Sequence, residues 1–302
     1  MPTVTLSDRA AWLAYRAEPG AYRIGASAVG ACLGLSPYMT PTDVWQQHQP
    51  GYVQPDPSPA MLDGIAWEPI ALGLYAARLG RPIANEPHTI HQHPDAPWLG
   101  STLDGVLSAA EIVEVKTDRR MGAAEAWPAD GTEVRDVDLS DADACPVPAH
   151  YWLQVQTQLA CSGSEVCHLL VCLPRYGLLM PEMRAIKVYA QPFAPILNAL
   201  RMWREAHLLG GERPDPMTPG EREALARWRY PERPVKRDAT PDEARGIADL
   251  LDLRDQRDVA DAAFADLRSR IVLGMGDAAE IVAPNVGKLA VTKRGVTVTR
   301  AK

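Results

Sequence analysis

The stretch Thr102-Leu103-Asp104-Gly105, followed by Glu111-Ile112-Val113-Glu114-Val115-Lys116, decides how this chain is read. The Asp-Gly pair marks a turn, and the apolar run around 112–115 reads as a strand. Residues i and i+2 of a strand share a face, so Glu114 and Lys116 project together while Val115 points the other way, into apolar packing. With Ile112 and Val113 beside it, this is a central strand rather than a solvated one. A carboxylate and an ammonium on such a strand lose hydration, which is costly unless they have a partner or a task. Asp104, at the turn of the neighbouring strand (about 99–107), can meet Glu114 across the sheet.

Two carboxylates and a backbone carbonyl suit a hard, oxygen-seeking cation such as Mg²⁺ or Mn²⁺. Such an ion activates water and stabilises charge on a phosphate and its leaving alkoxide. Lys116 would then hold or deprotonate the attacking water and neutralise phosphate charge, and Glu68, on the preceding helix, could add a third carboxylate. The pattern alone is common, because many strands carry Glu-x-Lys as a surface ion pair. On these residues by themselves both readings stay open.

Working outward, apolar residues recur at helical spacing over 62–79, with Gly80 as a stop. Ser7 can cap a short helix over 8–16. A second helix is expected from about 27 to 34, and Thr40-Pro41-Thr42-Asp43 reads as a cap followed by Pro at the first helical position. Residues 50–59 carry Pro50, Gly51, Pro55, Pro57 and Pro59 and read as a loop. On the other side, 117–148 carries eight acids and little periodic hydrophobicity, and so reads as a long loop, functional or mobile. A helix is expected over 149–161, ended by Gly163, then strands over 166–173 and 183–189 and an amphipathic helix over 193–209. After a Pro/Gly-rich break at 210–220, Thr240-Pro241-Asp242-Glu243 fits a capping box opening a long helix to about 273. Residues 281–299 alternate as in a short hairpin. The expected fold is mixed α/β, a central mixed β-sheet flanked by helices. The expected organisation is a domain at 1–215, with its mobile loop at 117–148, and a helical and β appendage at 216–302.

Composition sets outer limits. Among 302 residues, 46% are apolar and 23% charged, as in ordinary globular proteins. No apolar run reaches the length of a membrane span, and the first ten residues lack the layout of a signal peptide. A cytoplasmic protein without a membrane partner is expected. The net charge of −7 argues weakly against a general nucleic-acid binder. Two local clusters run the other way. Residues 281–302 hold five basic residues and no acid, and 227–237 hold five against Glu232. Each can follow a phosphate backbone or simply solubilise the surface. The five cysteines lack Cys-x-x-Cys spacing. Cys161, Cys167 and Cys172 cluster in sequence, which admits an iron–sulfur or zinc reading, but buried small hydrophobes are the simpler one. Tyr38, Trp45 and Trp152 read as core or groove walls rather than base-stacking platforms.

Five blocks in order carry a resemblance. They are Arg23-Ile24-Gly25-Ala26-Ser27 with Leu33-Gly34-Leu35-Ser36-Pro37-Tyr38, then Trp67-Glu68-Pro69, then 102–105, then Glu114-Val115-Lys116, and last 151–158 with Gln154-Val155-Gln156. The arrangement resembles the YqaJ-type viral recombinase family of lambda-exonuclease-like PD-(D/E)-x-K nucleases, over most of 23–173. The resemblance implies a restriction-endonuclease-like core. It implies that Asp104 and Glu114 bind metal with the Val115 carbonyl, that Lys116 is catalytic, and that Glu68 supports the metal or water. Gln154 would orient Lys116 or the water. Ser27 and Arg23 would contact a DNA 5′-phosphate, although in such nucleases the arginine lies somewhat further upstream, which makes Arg16 a competitor. It further implies one or two Mg²⁺ ions (Mn²⁺ being an alternative) and double-stranded DNA degraded from the 5′ end to leave 3′ single strands. A homo-oligomer, with a trimer as one form, a single-strand annealing partner and a bacterial or phage-infected host cell follow in the same way. The competing readings are an endonuclease of restriction or repair type on the same fold, and a catalytically silent DNA-binding or assembly protein.

Overall fold

The alternation along 111–117 divides the interior into two apolar compartments. Ile112 packs in one with Leu153, Leu159, Leu169 and Ile186, while Val113 and Val115 pack in the other with Leu72, Tyr75, Leu170 and Ala185. Helices cover both faces of one sheet, which is the mixed α/β arrangement expected. The computed structural model describes all residues except 17, 19, 121–122, 139–143, 174–181, 216–237, 276–277, 284–286, 293–294 and 301–302. The chain forms two compact units, Met1–Arg229 and Tyr230–Lys302.

In the first unit the described elements run β1 (Thr3–Thr5), α1 (Arg9–Arg16), β2 (Ile24–Gly25), a 3₁₀ turn (Ala26–Ala28), α2 (Val29–Cys32), α3 (Pro41–Gln47) and α4 (Pro59–Leu79). There follow β3 (Thr89–His93), β4 (Ala96–Ser101), β5 (Gly105–Ser108), β6 (Glu111–Thr117), α5 (Ala123–Ala126), β7 (Glu133–Val134), α6 (Ala149–Ser162), β8 (Val166–Leu173), β9 (Glu182–Tyr189) and α7 (Ala194–Arg204). The main sheet has the order β5-β6-β8-β9-β7 and a second one the order β1-β3-β4-β2. β6 and β8 are parallel, Glu114 opposite Leu169 and Lys116 opposite Val171. Parallel neighbours need a crossover, and α6 is part of it. This is what lays α6 across the Glu114 face.

The expected strand over 99–107 is broken into β4 and β5. Between them the chain bends at Asp104 and re-enters at Gly105, which pairs with Val113. Only a glycine fits there, because a β-carbon would stand 2.4 Å from Ile83 Cγ2. A comparable approach fixes α2 on α6, where a β-carbon at Gly30 would meet His150 Cβ at 2.8 Å. Thr40 caps α3 in a reciprocal capping box with Asp43. The cap of α1 differs from expectation: Asp8, not Ser7, accepts from the Ala11 amide at 2.9 Å. An ionised carboxylate is the stronger acceptor for an orphan amide at a helix start.

The stretch 117–148 is not a bare acidic loop. It contains α5 and β7, the latter parallel to β9, and buries Trp127, Val134 and Val147. Its described acids are largely paired. Asp118, only 6% exposed, accepts from the Trp127 indole at 2.9 Å and from Arg120 at 2.6 Å, and Asp130 is bridged by Arg78 at 2.7 Å. Arg120, then burial working the other way, then Trp127 leave Asp118 with a pKa down at about 2. A depressed carboxylate stabilises the fold above its ordinary pKa and stops doing so as pH falls through the folded value. Since Arg120 is 56% exposed, the contribution after screening is about 1–2 kcal/mol. Asp118→Asn is therefore expected to melt a few degrees below wild type at neutral pH. The gap should close between pH 3.8 and about 2. A gap in melting temperature that stays constant to pH 2 would refute this account.

In the second unit, α8 (Pro241–Gly274) opens with the expected capping box, Thr240 with Glu243. The expected hairpin is a three-stranded antiparallel meander of β10 (Glu280–Ala283), β11 (Gly287–Thr292) and β12 (Gly295–Arg300). The basic cluster at 227–237 lies outside the described residues. In the cluster at 281–302, Lys288 is paired with Glu280 at 3.0 Å. Among the described residues no helix is long and apolar enough to cross a membrane.

Candidate active site

Glu114 is 3% exposed, yet each of its carboxylate oxygens is held by hydrogen-bond donors. Lys116 Nζ and Gln154 Nε2 both donate to Oε1 at 2.5 Å, and Gln158 Nε2 donates to Oε2 at 2.6 Å. The β-period puts Lys116 beside Glu114, and the helical period of α6 puts Gln154 and Gln158 one above the other over both. Gln158 is the residue missed in the sequence. Its i+4 spacing from Gln154 was a usable signal, whereas Gln156 between them faces away, donating to the Tyr189 carbonyl at 2.8 Å. Val115 turns its side chain to the α4 compartment as expected, and its amide donates to Asp104 Oδ2 at 2.8 Å. One peptide segment of β6 thus positions Asp104, Glu114 and Lys116 together.

The electrostatics are those of a cluster short of positive charge. Burial, then the carboxylates of Glu114 and Glu68, push the Asp104 pKa well above its ordinary value, with Lys116 and the Val115 amide only partly offsetting them. Glu68, on α4, is raised by burial and then by Glu114. Burial alone would pull Lys116 down, but the Glu114 and Asp104 carboxylates outweigh it and hold its ammonium above the usual range. Lys116 is 18% exposed and its Nζ lies 5.1 Å from the Tyr151 ring centroid. Among the described residues no group of three or more His, Cys, Asp or Glu side chains is placed to hold a metal ion. The chemistry of Asp104 and Glu114 nevertheless fits a hard divalent cation. The ligands are oxygens, and a cation would relieve the repulsion that raises Asp104.

A pocket of about 70 Å³ adjoins this cluster. It is lined by Arg16, Arg23, Ser27, Thr102, Gln154 and Gln158, so the two glutamines form a wall between pocket and carboxylates. The parallel pairing of Ile24-Gly25 with Leu99-Gly100 brings the Ser27 turn beside Ser101 and Thr102. The two arginines differ. Arg23 donates to Glu18 Oε2 at 2.6 Å and to the Tyr15 carbonyl at 2.7 Å. Arg16 lies over the Trp12 ring at 4.4 Å, and a β-carbon at residue 25 would sit 3.1 Å from its Nη2. Among the described residues no carboxylate pairs with it, and desolvation lowers its pKa.

The cysteines are free thiols, four buried and Cys145 half-buried. Burial raises the Cys161 thiol to about 12 and the Cys172 thiol to about 11, the behaviour of small core hydrophobes. Trp45 and Trp152 are core residues, as expected, but Tyr38 is 62% exposed.

No curated protein matches the chain. Among solved structures it is similar to an alkaline exonuclease from Laribacter hongkongensis (20% identity, 72% of this chain and 96% of that one covered, TM-score 0.49). It is also similar to that exonuclease in complex with dAMP (19%, 72% and 96%, TM-score 0.46). A phage-related exonuclease from Haemophilus somnus is a third likeness (12%, 61% and 91%, TM-score 0.41). The model of the YqaJ-like viral recombinase domain matches residues 11–165, half of the chain and every residue of the cluster just described. The chain belongs to the YqaJ-like viral recombinase family.

Proposed function

We propose that the protein is a metal-dependent deoxyribonuclease that degrades linear double-stranded DNA from its 5′ ends and leaves 3′ single strands. The observation that carries this reading is the buried Glu114 carboxylate, held by Lys116, Gln154 and Gln158 beside an Asp104 that is itself fixed by the β6 backbone. A surface Glu-x-Lys ion pair has no need of burial or of two amide donors.

Asp104 and Glu114, with the Val115 carbonyl and Glu68 beside them, would hold a divalent cation, Mg²⁺ or Mn²⁺. When bound it supplies Lewis acidity toward water and a phosphate oxygen. The rest is done by the chain. Gln154 and Gln158 fix the Glu114 carboxylate, so that it need not reorganise during the reaction. Lys116 Nζ, charged in this arrangement, donates to the attacking water or to a non-bridging phosphate oxygen. Glu68, on α4 beside the cluster, would hold that water and take its proton. The bond formed is water oxygen to phosphorus and the bond broken is phosphorus to O3′. Beyond the glutamine wall, Ser27, Thr102 and Arg16 would receive a terminal 5′-phosphate, with Arg23 tied instead to Tyr15 and Glu18.

The test uses linear duplex labelled at either end, with and without a 5′-phosphate, alongside a closed circular plasmid, all with Mg²⁺. Release from 5′-phosphorylated ends with the circle left intact is expected. Rapid nicking of the circle would favour the endonuclease reading, and release only from 3′ ends would overturn the polarity.

A further inference from the structure

Tyr38 is exposed but not loose. Its ring meets that of His150 edge-on, with centroids 5.4 Å apart and an interplanar angle of 79°. His150 packs on Tyr151 at 4.0 Å, and Tyr151 stacks on Trp127 at 5.6 Å and 21°. Trp127 is buried and anchored through its indole to Asp118. Four rings thus run from the core to the surface, and the outermost has a free face. The third ring, Tyr151, is the one that Lys116 overlies. The reacting cluster thus meets the ladder at this ring, and Tyr38 is its surface end. His150, lowered to about 4 by burial and then by Lys116 and Arg120, is a neutral ring at physiological pH, so the ladder remains apolar. Arg119 and Arg120 are exposed on the segment that carries Asp118, each paired with a carboxylate, Asp63 and Asp118 respectively.

An exposed aromatic face held rigidly from behind is what an unpaired base needs. Such a base stacks on the ring without regard to sequence. A lone exposed tyrosine would need no explanation. One propped by three further rings, and joined by them to the catalytic cluster, does. We propose that Tyr38, backed by His150, Tyr151 and Trp127, is a stacking site for an unpaired nucleobase of the strand whose phosphodiester the Asp104–Glu114–Lys116 cluster hydrolyses. This rests on the nuclease reading above. It adds that the strand reaches the cluster already unpaired, with one base parked on Tyr38.

Two measurements separate the two readings. The first is fluorescence of an oligonucleotide containing 2-aminopurine, titrated with protein without divalent metal so that nothing is cut. Wild type and Tyr38→Phe are expected to quench it, and Tyr38→Ala to quench it far less. The second is steady-state hydrolysis of linear duplex with Mg²⁺. Truncating a stacking side chain costs about 1–3 kcal/mol per base, so Tyr38→Ala should raise KM about tenfold, with the larger part of the loss in KM rather than kcat. Tyr38→Phe should restore it. Equal quenching by wild type and Tyr38→Ala overturns the stacking site even where hydrolysis is robust. Quenching lost in Tyr38→Ala while no variant cuts DNA leaves the stacking site standing and overturns the nuclease reading. A Tyr38→Phe defect as large as that of Tyr38→Ala would point to the hydroxyl and also overturn the proposal.

Discussion

Lys116→Ala should reduce Mg²⁺-supported release of nucleotides from linear duplex DNA by about 10³-fold, the loss expected when a preorganised donor to developing charge is removed. Its Nζ is 2.5 Å from Glu114 Oε1 and its charge is held up by two carboxylates, so truncation removes the ammonium that, in the proposed mechanism, donates to water or phosphate. The same change leaves Glu114 buried with amide donors alone. Breaking a buried pair costs about 3–5 kcal/mol where the remaining charge has no other partner. Gln154 and Gln158 remain, and Lys116 is partly exposed, so the loss of stability should fall below that range. The variant is expected to fold, with a melting temperature a few degrees lower. Lys116→Arg separates charge from geometry. It keeps the cation but replaces a compact donor by a planar fork, and should not restore the rate. If Lys116→Ala releases nucleotides as fast as wild type while folded, the site lies elsewhere.

How much of this was legible in the sequence depends on the range of the interaction. The strand 111–117 announced itself, because alternation between two apolar compartments is written into consecutive residues. Glu114, Lys116 and Val115 are placed by the same local period, and the capping boxes at Thr40 and Thr240 are complete within four residues. Gln158 was within reach by its i+4 relation to Gln154, but only once the face of α6 opposite Glu114 is known. The stretch 117–148 was illegible for a different reason. Its acids look solvated when read in order, yet Asp130 is neutralised by Arg78 and supports the Ala185 amide at 2.8 Å, partners more than fifty positions away. Charge density in a segment says nothing about long-range pairing. The contact of Tyr38 with His150, more than a hundred positions away, is equally invisible in order. An aromatic next to Pro37 looks like any groove wall until the ring behind it is identified.

The same distinction settles which arginine to test at the 5′ end. Sequence order offered Arg23, four residues before Ser27, and left Arg16 as its competitor. Arg23 already satisfies its charge on Glu18 and the Tyr15 carbonyl, and its guanidinium lies over the Tyr15 ring at 3.7 Å. A phosphate would have to compete with a carboxylate for it. Arg16 pays desolvation without a compensating anion among the described residues, and it lines the same pocket as Ser27. A guanidinium in that state gains most from an arriving dianion, which supplies both charge and bidentate acceptors. Arg16→Ala is therefore expected to lower kcat/KM on 5′-phosphorylated duplex about 10²-fold, within the cost of truncating one partner of a desolvated charge pair. Ends bearing a 5′-hydroxyl should lose little, so the preference for phosphate should largely vanish. Arg23→Ala should instead remove the ties to Tyr15 and Glu18, lowering the melting temperature while keeping most of the preference. Initial rates on matched phosphorylated and hydroxyl-ended duplexes decide the matter. A preference lost in Arg23→Ala and retained in Arg16→Ala would reverse the assignment and show that the Glu18 pair opens when DNA binds.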